Sequence, residues 1–255
     1  MENNRKIVVS SFSPSEFKVS TSGWDFLSVA SNPHWQTIFG TGALHSKLFG
    51  PKQRSFETTT EKVITAKDND FFYIEHTSNI DSCESIVVIV HGLESNPRSN
   101  LCTNLAEAFL SRNMGCCLVA FRGCHGDGTE DNNTVGSYHF GFTDDLDQVV
   151  DILNSRHPSK NIYLCGFSLG GNVVLKFLGE QSYAAANRRI VGAVATCVPF
   201  DPFSGQEKLD RGFNRYMYAE VRSAVNSPRY PAVALIYCLY CTVLHCAVFY
   251  LLCRL

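Results

Sequence analysis

The sequence predicts an α/β fold built on a mainly parallel, doubly wound sheet. Three short apolar runs, Ser85–Val90, Cys116–Phe121 and Asn161–Cys165, are each followed by a glycine-containing turn or loop. Continuous runs of this kind are typical of strands that are buried on both faces of a parallel sheet. Segments with apolar residues at helical spacing lie between them. Strands that alternate with helices in this way imply right-handed crossovers between parallel strands.

Further elements complete this pattern at both ends. Glu57–Lys67 and Phe71–His76 predict two β-strands joined by the turn Asp68–Asp70, as in a hairpin. The spacing of Leu101, Leu105, Ala108 and Phe109 predicts a helix after the first buried strand, and Arg189–Cys197 predicts a last strand.

Acidic residues open the helix that precedes Asn161. Asp144, Asp145 and Asp147 come first, with apolar residues at helical spacing behind them. Negative charge at this end favours the helix dipole. We therefore expect a solvated first turn here and not a pair of catalytic carboxylates.

Composition narrows the classes of function. The chain has 255 residues, 45% of them hydrophobic, which suits one large domain, and its net charge of −2 argues against nucleic-acid binding. Among the 11 cysteines, those up to Cys197 are scattered without metal-ligand or disulfide spacing, which predicts reduced thiols in the cytoplasm. Cys238 and Cys241 have the spacing of a redox or zinc pair, but they lie in an apolar stretch with no second pair, so the spacing is interpreted as accidental. The polar start of the chain resembles no export signal, so secretion is not expected. We expect no cofactor, because Arg122–Gly128 lacks the phosphate-binding glycine patterns.

The segment Gly166–Gly170 carries a Gly-x-Ser-x-Gly pattern between a predicted strand and a predicted helix. This context is that of a nucleophile elbow, in which a sharp turn exposes a serine hydroxyl for attack. Ser168 is the candidate nucleophile. Gly166 and Gly170 would remove the Cβ atoms that the tight turn would bring into collision. The alternative is an ordinary glycine-rich turn in which Ser168 only caps the helix.

A second candidate element is the loop His91–Glu94, which leaves the carboxyl end of a buried strand. In such folds this loop supplies one backbone donor to an oxyanion hole. We expect the N–H groups of Leu93 and Leu169 to form that hole, with Gly92 allowing close backbone approach. His91 is interpreted as a structural imidazole that holds the loop in shape, in preference to a catalytic base.

Several segments together resemble the embryogenesis-associated (YheT-like) α/β-hydrolases, and they recur in order between about residues 31 and 218. They are Asn32–Thr37, His91–Glu94, Arg122–Cys124, Tyr138–Asp145, Gly166–Asn172 and Val198–Asp201. The resemblance implies an α/β-hydrolase fold and a serine esterase or lipase with Ser168 as nucleophile. It implies medium-chain esters, acylglycerols or phospholipids as substrate classes. It also implies a triad acid after a later strand and a histidine in a loop near the C-terminus.

The resemblance stops after Glu220, so the C-terminal part of the fold, with the triad acid and histidine, is expected to be missing. Asp201 or Asp210 followed by His245 would keep the order of the triad, but His245 lies in an apolar run. The predicted organisation is an N-terminal arm (1–30), an incomplete hydrolase core (31–220) and a divergent apolar tail (221–255).

The run 231–253 carries no formal charge and, as a helix, would be long enough to cross a bilayer. It is interpreted either as a membrane anchor or as the tail of an alternative or truncated gene product. The function predicted is hydrolysis of acyl esters. The alternative is a catalytically inactive, hydrolase-like protein that binds lipids or proteins, with or without a membrane tether. No sequence feature fixes the oligomeric state.

Overall fold

The structure is a computed structural model of the chain and describes residues 54–93, 95–125, 132–134, 138–181, 188–201 and 211–212. Within these ranges the chain forms six strands and three helices. In chain order they are β1 (Thr58–Ile64), β2 (Phe71–Thr77), β3 (Ser85–Val90), α1 (Asn100–Leu110), β4 (Gly115–Ala120), α2 (Asp144–Arg156), β5 (Asn161–Phe167), α3 (Leu169–Gln181) and β6 (Ile190–Thr196).

The six strands form one sheet in the order β1-β2-β4-β3-β5-β6. Strands β4, β3, β5 and β6 are parallel to one another, whereas β2 pairs antiparallel with both β1 and β4. The predicted hairpin, the mainly parallel sheet and the alternation of strands and helices are therefore confirmed. Strands β3 and β4 are almost wholly buried, as their continuous apolar sequences predicted.

Helices cover both faces of the sheet, as expected of a doubly wound fold. On one face, Leu146 and Val149 of α2 and Phe177 of α3 join the larger apolar core. On the other face, Cys102 and Ala106 of α1 form a smaller cluster with β3, β4 and β5. A parallel sheet covered on both faces directs its loops to the two strand ends, and ligands bind outside the carboxyl ends.

The amino ends of the parallel strands are held together by Lys160, which is 9% exposed. Its Nζ donates to the carbonyls of Ile80 (2.6 Å), Asp81 (2.7 Å) and Cys83 (2.6 Å). Three carbonyl acceptors replace the water that a buried ammonium loses. Lys160 therefore ties the start of β5 to the turn before β3, far from the carboxyl ends where the elbow lies.

A buried ionic cluster lies at the carboxyl end of β4. Arg122 is 5% exposed and binds Asp145 through two nitrogens, Nε at 3.1 Å and Nη2 at 2.8 Å. It also binds Asp68 and Asp70 of the hairpin turn. The expectation of a wholly solvated first turn in α2 is thus wrong for Asp145, which is 1% exposed, because Arg122 reaches it from the neighbouring loop.

Candidate active site

Ser168 lies at the sharp turn between β5 and α3, with φ of +55°. Its N–H donates to the carbonyl of Thr196 at the end of β6 (2.8 Å), and its own carbonyl accepts from the N–H of Asn172 (3.1 Å). A non-glycine residue in the left-handed region costs about 1–3 kcal/mol and persists only where its surroundings impose it. Here the bonds on both sides of Ser168 impose it, and the strand–turn–helix context predicted for the elbow is confirmed.

The glycines that flank Ser168 lie where no side chain fits. A Cβ atom on Gly166 would lie 2.4 Å from the carbonyl oxygen of Gly170. A Cβ atom on Gly170 would lie 2.3 Å from the carbonyl oxygen of Val90 and 2.4 Å from that of His91. These are collisions with backbone atoms, which cannot rotate away. The predicted reason, collision within the turn, is confirmed for Gly166, whereas Gly170 must lack a side chain because the end of β3 lies against it.

The nucleophile-elbow pattern predicts an exposed serine hydroxyl. In the structure Ser168 is buried instead, with 1% of the residue exposed. The loop after β3 packs against it from one side, because the Cβ position of Gly92 lies 3.3 Å from the Ser168 Cβ. From the side of β6, Val198 lies 2.9 Å from the Cβ position of Gly171. The elbow that carries Ser168 is thus packed between the loop after β3 and the residues after β6, at the carboxyl edge of the sheet.

The two expected oxyanion donors lie on the two elements that meet at the elbow. Leu169 is the first residue of α3, and the first amides of a helix have no acceptor within it. Leu93 follows Gly92 in the loop after β3 and packs partly buried against the core. Gly92 approaches both Phe167 and Ser168, at 3.2 and 3.3 Å from its Cβ position. This brings the β3 loop onto the turn that carries Ser168.

His91 is 1% exposed, and both of its ring nitrogens bind backbone groups. The N–H of Phe121 donates to Nε2 (3.2 Å), so a neutral ring carries its proton on Nδ1, which donates to the carbonyl of Gly92 (2.6 Å). Burial lowers the pKa of His91 to about 4, and the bond to Gly92 opposes this shift only in part. This geometry favours a supporting role for His91 over that of a base.

Aromatic residues back this loop. Tyr138 is fully buried and stacks on Phe121 with ring centroids 4.7 Å apart, while Phe121 meets His91 edge-on at 4.9 Å. Residues just after Tyr138 reach the elbow helix, where the side-chain amide of Asn172 donates to the carbonyl of Phe140 (3.1 Å). Tyr138 therefore packs in the core. No sequence pattern predicted the contact made by Asn172.

The residues considered for a substitute triad are Asp201, Asp210 and His245. Asp201 is exposed beyond the end of β6, and Asp210 and His245 lie outside the described ranges. The expected arm (1–30) and tail (221–255) also lie outside them. Among described residues, no cluster of histidine, cysteine or carboxylate side chains could hold a metal ion. No described helix is long and apolar enough to cross a membrane.

Comparison with known proteins agrees with this geometry. Residues 81–213, just over half of the chain, match the family Hydrolase_4, described as serine aminopeptidase, S33. The putative esterase YheT of Escherichia coli is 29% identical over 187 residues, which cover 72% of this chain and 51% of that protein. The monoacylglycerol lipase of Saccharomyces cerevisiae is 28% identical over 127 residues, covering 49% of this chain and 27% of the lipase.

Two further matches bear on the resemblance and on the fold. The embryogenesis-associated protein EMB8 of Picea glauca is 40% identical over 75 residues, 29% of this chain and 16% of that protein. Against these three proteins, the chain spans about half of the relative's length or less. The esterase Pf2001 of Pyrococcus furiosus superposes with a TM-score of 0.53 at 24% identity, over 73% of this chain and 66% of the esterase. The resemblance to the YheT-like proteins is confirmed, and the chain belongs to the serine aminopeptidase S33 (Hydrolase_4) family, with an α/β-hydrolase fold.

Proposed function

We propose that this protein is a serine hydrolase of carboxylic esters, with Ser168 as its nucleophile. The observation that carries the proposal is the enclosed turn at Ser168, held at φ of +55° between β5 and α3 and packed against the His91–Gly92 loop. Strain at one non-glycine residue, surrounded by glycines that tolerate no side chain, is typical of a nucleophile elbow.

In the proposed reaction, the substrate carbonyl lies over Ser168. The Oγ atom bonds to the carbonyl carbon while a histidine base takes the hydroxyl proton, and the carbonyl oxygen becomes an oxyanion that accepts from the N–H groups of Leu93 and Leu169. Collapse breaks the ester bond and the alcohol leaves with the proton. Water then attacks the acyl-serine and releases the acid.

The names of the relatives guide the choice of substrate. YheT is called a putative esterase and the yeast relative a monoacylglycerol lipase, whereas the family description names an aminopeptidase. We propose acyl esters, in the range from medium-chain esters to acylglycerols, as the substrate class. Aminoacyl p-nitroanilides serve as the competing class in the test.

The test uses the full chain and a fluorophosphonate probe, followed by p-nitrophenyl butyrate and octanoate. Ser168→Ala should abolish labelling of the peptide that contains residue 168 and lower ester turnover by at least about 10³-fold. Ser111→Ala is the matched control, because Ser111 is an exposed serine at the end of α1. Turnover of the anilides but not of the esters would overturn the ester assignment.

A second function, binding of acyl lipids without turnover, is favoured by the state of His91. Its two ring nitrogens are occupied by backbone groups, so it cannot act as the base. If wild type and Ser168→Ala behave alike with every probe, hydrolysis is excluded, and titration with a monoacylglycerol then measures binding.

A further inference from the structure

The loop between β3 and α1, residues 91–99, carries the proposed donor Leu93, and it is held at both ends. At its near end, the carbonyl of Gly92 accepts from Nδ1 of His91 (2.6 Å) and from the N–H of Ser95 (3.3 Å). At its far end, Ser99 caps α1, and its hydroxyl accepts from the N–H of Cys102 (3.4 Å). Just before this cap, the loop is held by a side chain of strand β2.

That group is the carboxylate of Glu75, in the interior of β2, with 0% of its side chain exposed. Nε of Arg98 donates to Oε1 (3.2 Å), and Nη1 of Arg54 donates to Oε2 (2.5 Å). Arg54 also donates through Nη2 to the carbonyl of Pro97 (2.5 Å). Glu75 therefore reaches the loop twice, directly through Arg98 and through Arg54 to Pro97.

Glu75 occupies a position that sheet packing alone would fill with an apolar residue. It pairs in register with Leu118 of β4, whose side chain belongs to the core under α1. Burial by itself would raise the pKa of Glu75, but the hydrogen bond from Arg54 and the charges of Arg54 and Arg98 lower it below its ordinary value. The group is thus an anion at neutral pH. A buried ion pair is weak evidence for stability, but it can impose one geometry on the segments it joins.

We propose that Glu75 is a positioning residue for the oxyanion loop: by holding Pro97 and Arg98, it fixes the end of the loop just before α1 and thereby aims the N–H of Leu93. This inference rests on the function proposed above. It assigns a catalytic consequence to a side chain that touches neither the substrate nor Ser168.

Loss of Glu75 should affect kcat more than KM. Donors to an oxyanion act on charge that develops in the transition state, so misplacing one lowers kcat and leaves substrate binding largely unchanged. A donor that is removed costs roughly 10²–10³-fold in kcat, and a displacement of about 1 Å can cost about 10²-fold. Glu75→Gln should therefore lower kcat roughly 10- to 100-fold, with KM changed less than about threefold.

Two variants separate positioning from simple loss of stability. Lys160→Met removes a buried charge at the opposite, amino end of the sheet, and should lower the melting temperature while leaving kcat close to that of the wild type. Arg98→Gln changes the loop end itself at a half-exposed side chain, so it should fold even if Glu75→Gln does not. It should lower kcat in the same direction as Glu75→Gln. All rates are measured well below the melting temperature of each variant.

Amide hydrogen exchange gives a readout that needs no turnover. In Glu75→Gln and Arg98→Gln, peptides that cover residues 91–99 should exchange faster than in the wild type, while peptides that cover residues 80–84 should not. In Lys160→Met, peptides that cover residues 80–84 should exchange faster than in the wild type, while peptides that cover residues 91–99 should not. Equal exchange of 91–99 in the wild type and both loop variants would overturn the inference, as would a kcat loss no greater than that of Lys160→Met. If Ser168-dependent turnover is absent from the wild type, the proposed function fails, and the exchange data alone decide whether Glu75 positions the loop.

Discussion

Gly170 lies directly against the carbonyl of Val90, so that the helix after the nucleophile turn touches the end of the central strand β3. A Cβ atom at residue 170 would lie 2.3 Å from that oxygen and 2.4 Å from the carbonyl oxygen of His91. The contact joins the two elements that carry the proposed oxyanion donors, since Leu169 precedes Gly170 and Leu93 follows His91 by two residues. The distance between the two proposed donors therefore depends on close backbone packing at a glycine.

Replacement of this glycine should destabilise the protein and disrupt the site. Gly170→Ala forces a methyl group into backbone atoms, and overpacking of this kind costs typically 1–3 kcal/mol, so we expect a loss of about 2 kcal/mol or more in the free energy of unfolding. Gly179→Ala is the matched control on the same helix, because nothing lies within 4 Å of its Cβ position. It should stabilise by about 0.5–1 kcal/mol, since alanine is the better helix former. Urea unfolding measures both, and equal effects would refute the steric argument.

His91 should make stability depend on pH in a defined window. Its pKa is lowered from 6.5 to about 4 by burial, so between these values the unfolded chain binds more protons than the folded one. The stability is fully present above pH 6.5 and is lost as the pH falls towards 4. The whole difference corresponds to about 3 kcal/mol.

His91→Asn isolates this contribution, because it removes the titrating ring while the other acidic and basic groups stay. The loss of unfolding free energy between about pH 7.5 and pH 4.5 should be smaller in His91→Asn than in the wild type by about 2–3 kcal/mol. Urea unfolding at both pH values measures it. Parallel pH profiles for the two proteins would show that His91 does not titrate as its burial implies.

The fold could be predicted because a strand that is buried on both faces has a continuous apolar sequence. Strand β3 reads as an unbroken apolar run, and the residues Ile86–Val90 are all at most 2% exposed. The elbow could be predicted because its Gly-x-Ser-x-Gly spacing is local, and Gly166 is required by a backbone contact with Gly170 only four residues away. The contacts that require Gly170 are with Val90 and His91 of the β3 end, which the spacing itself does not reveal.

What escaped prediction depends on partners distant in the chain. Asp145 lies in a pattern typical of a solvated first turn, yet Arg122, 23 residues earlier, buries it. The clamp of Glu75 on Arg98 likewise joins residues 23 apart. The one available signal was a carboxylate within the apolar strand Phe71–Thr77, which is expensive unless paired. In the sheet, β4 lies between β2 and β3, although β3 comes first in the chain. Hydrophobic periodicity does not predict this order.

The cluster around Arg122 should be costly to break from one side. Arg122→Met leaves Asp70 and Asp145 buried without their guanidinium partner, and removing one member of a buried ion pair typically costs 3–5 kcal/mol. We expect a loss of about that size in the free energy of unfolding. Arg156 is the matched control: it binds Glu61 through two nitrogens at 2.6 Å, but 47% of its side chain is exposed.

Arg156→Met should cost no more than about 1 kcal/mol, because solvent already screens an exposed pair. Chemical denaturation of both variants near neutral pH gives the comparison. If Arg122→Met costs no more than Arg156→Met, the buried cluster contributes nothing beyond a surface pair, and the assignment of Arg122 as the anchor of the hairpin turn and α2 would be wrong.

The buried thiols should be protected from alkylation while the protein is folded. Burial raises the pKa of Cys116 and of Cys165 to about 12, and it also raises the pKa of Cys117. Near pH 8 the reactive thiolate is then only about one part in 10⁴ at Cys116 and Cys165. Cys197 is less buried and follows the end of β6, so it should react first among these four.

Brief iodoacetamide treatment followed by peptide mass mapping should find residue 197 modified and residues 116, 117 and 165 protected. The same treatment in concentrated urea should modify all four, because unfolding restores ordinary pKa values. Modification of Cys165 in the native protein as fast as that of Cys197 would show that strand β5 opens readily, and would contradict the rigid placement of the turn at Ser168.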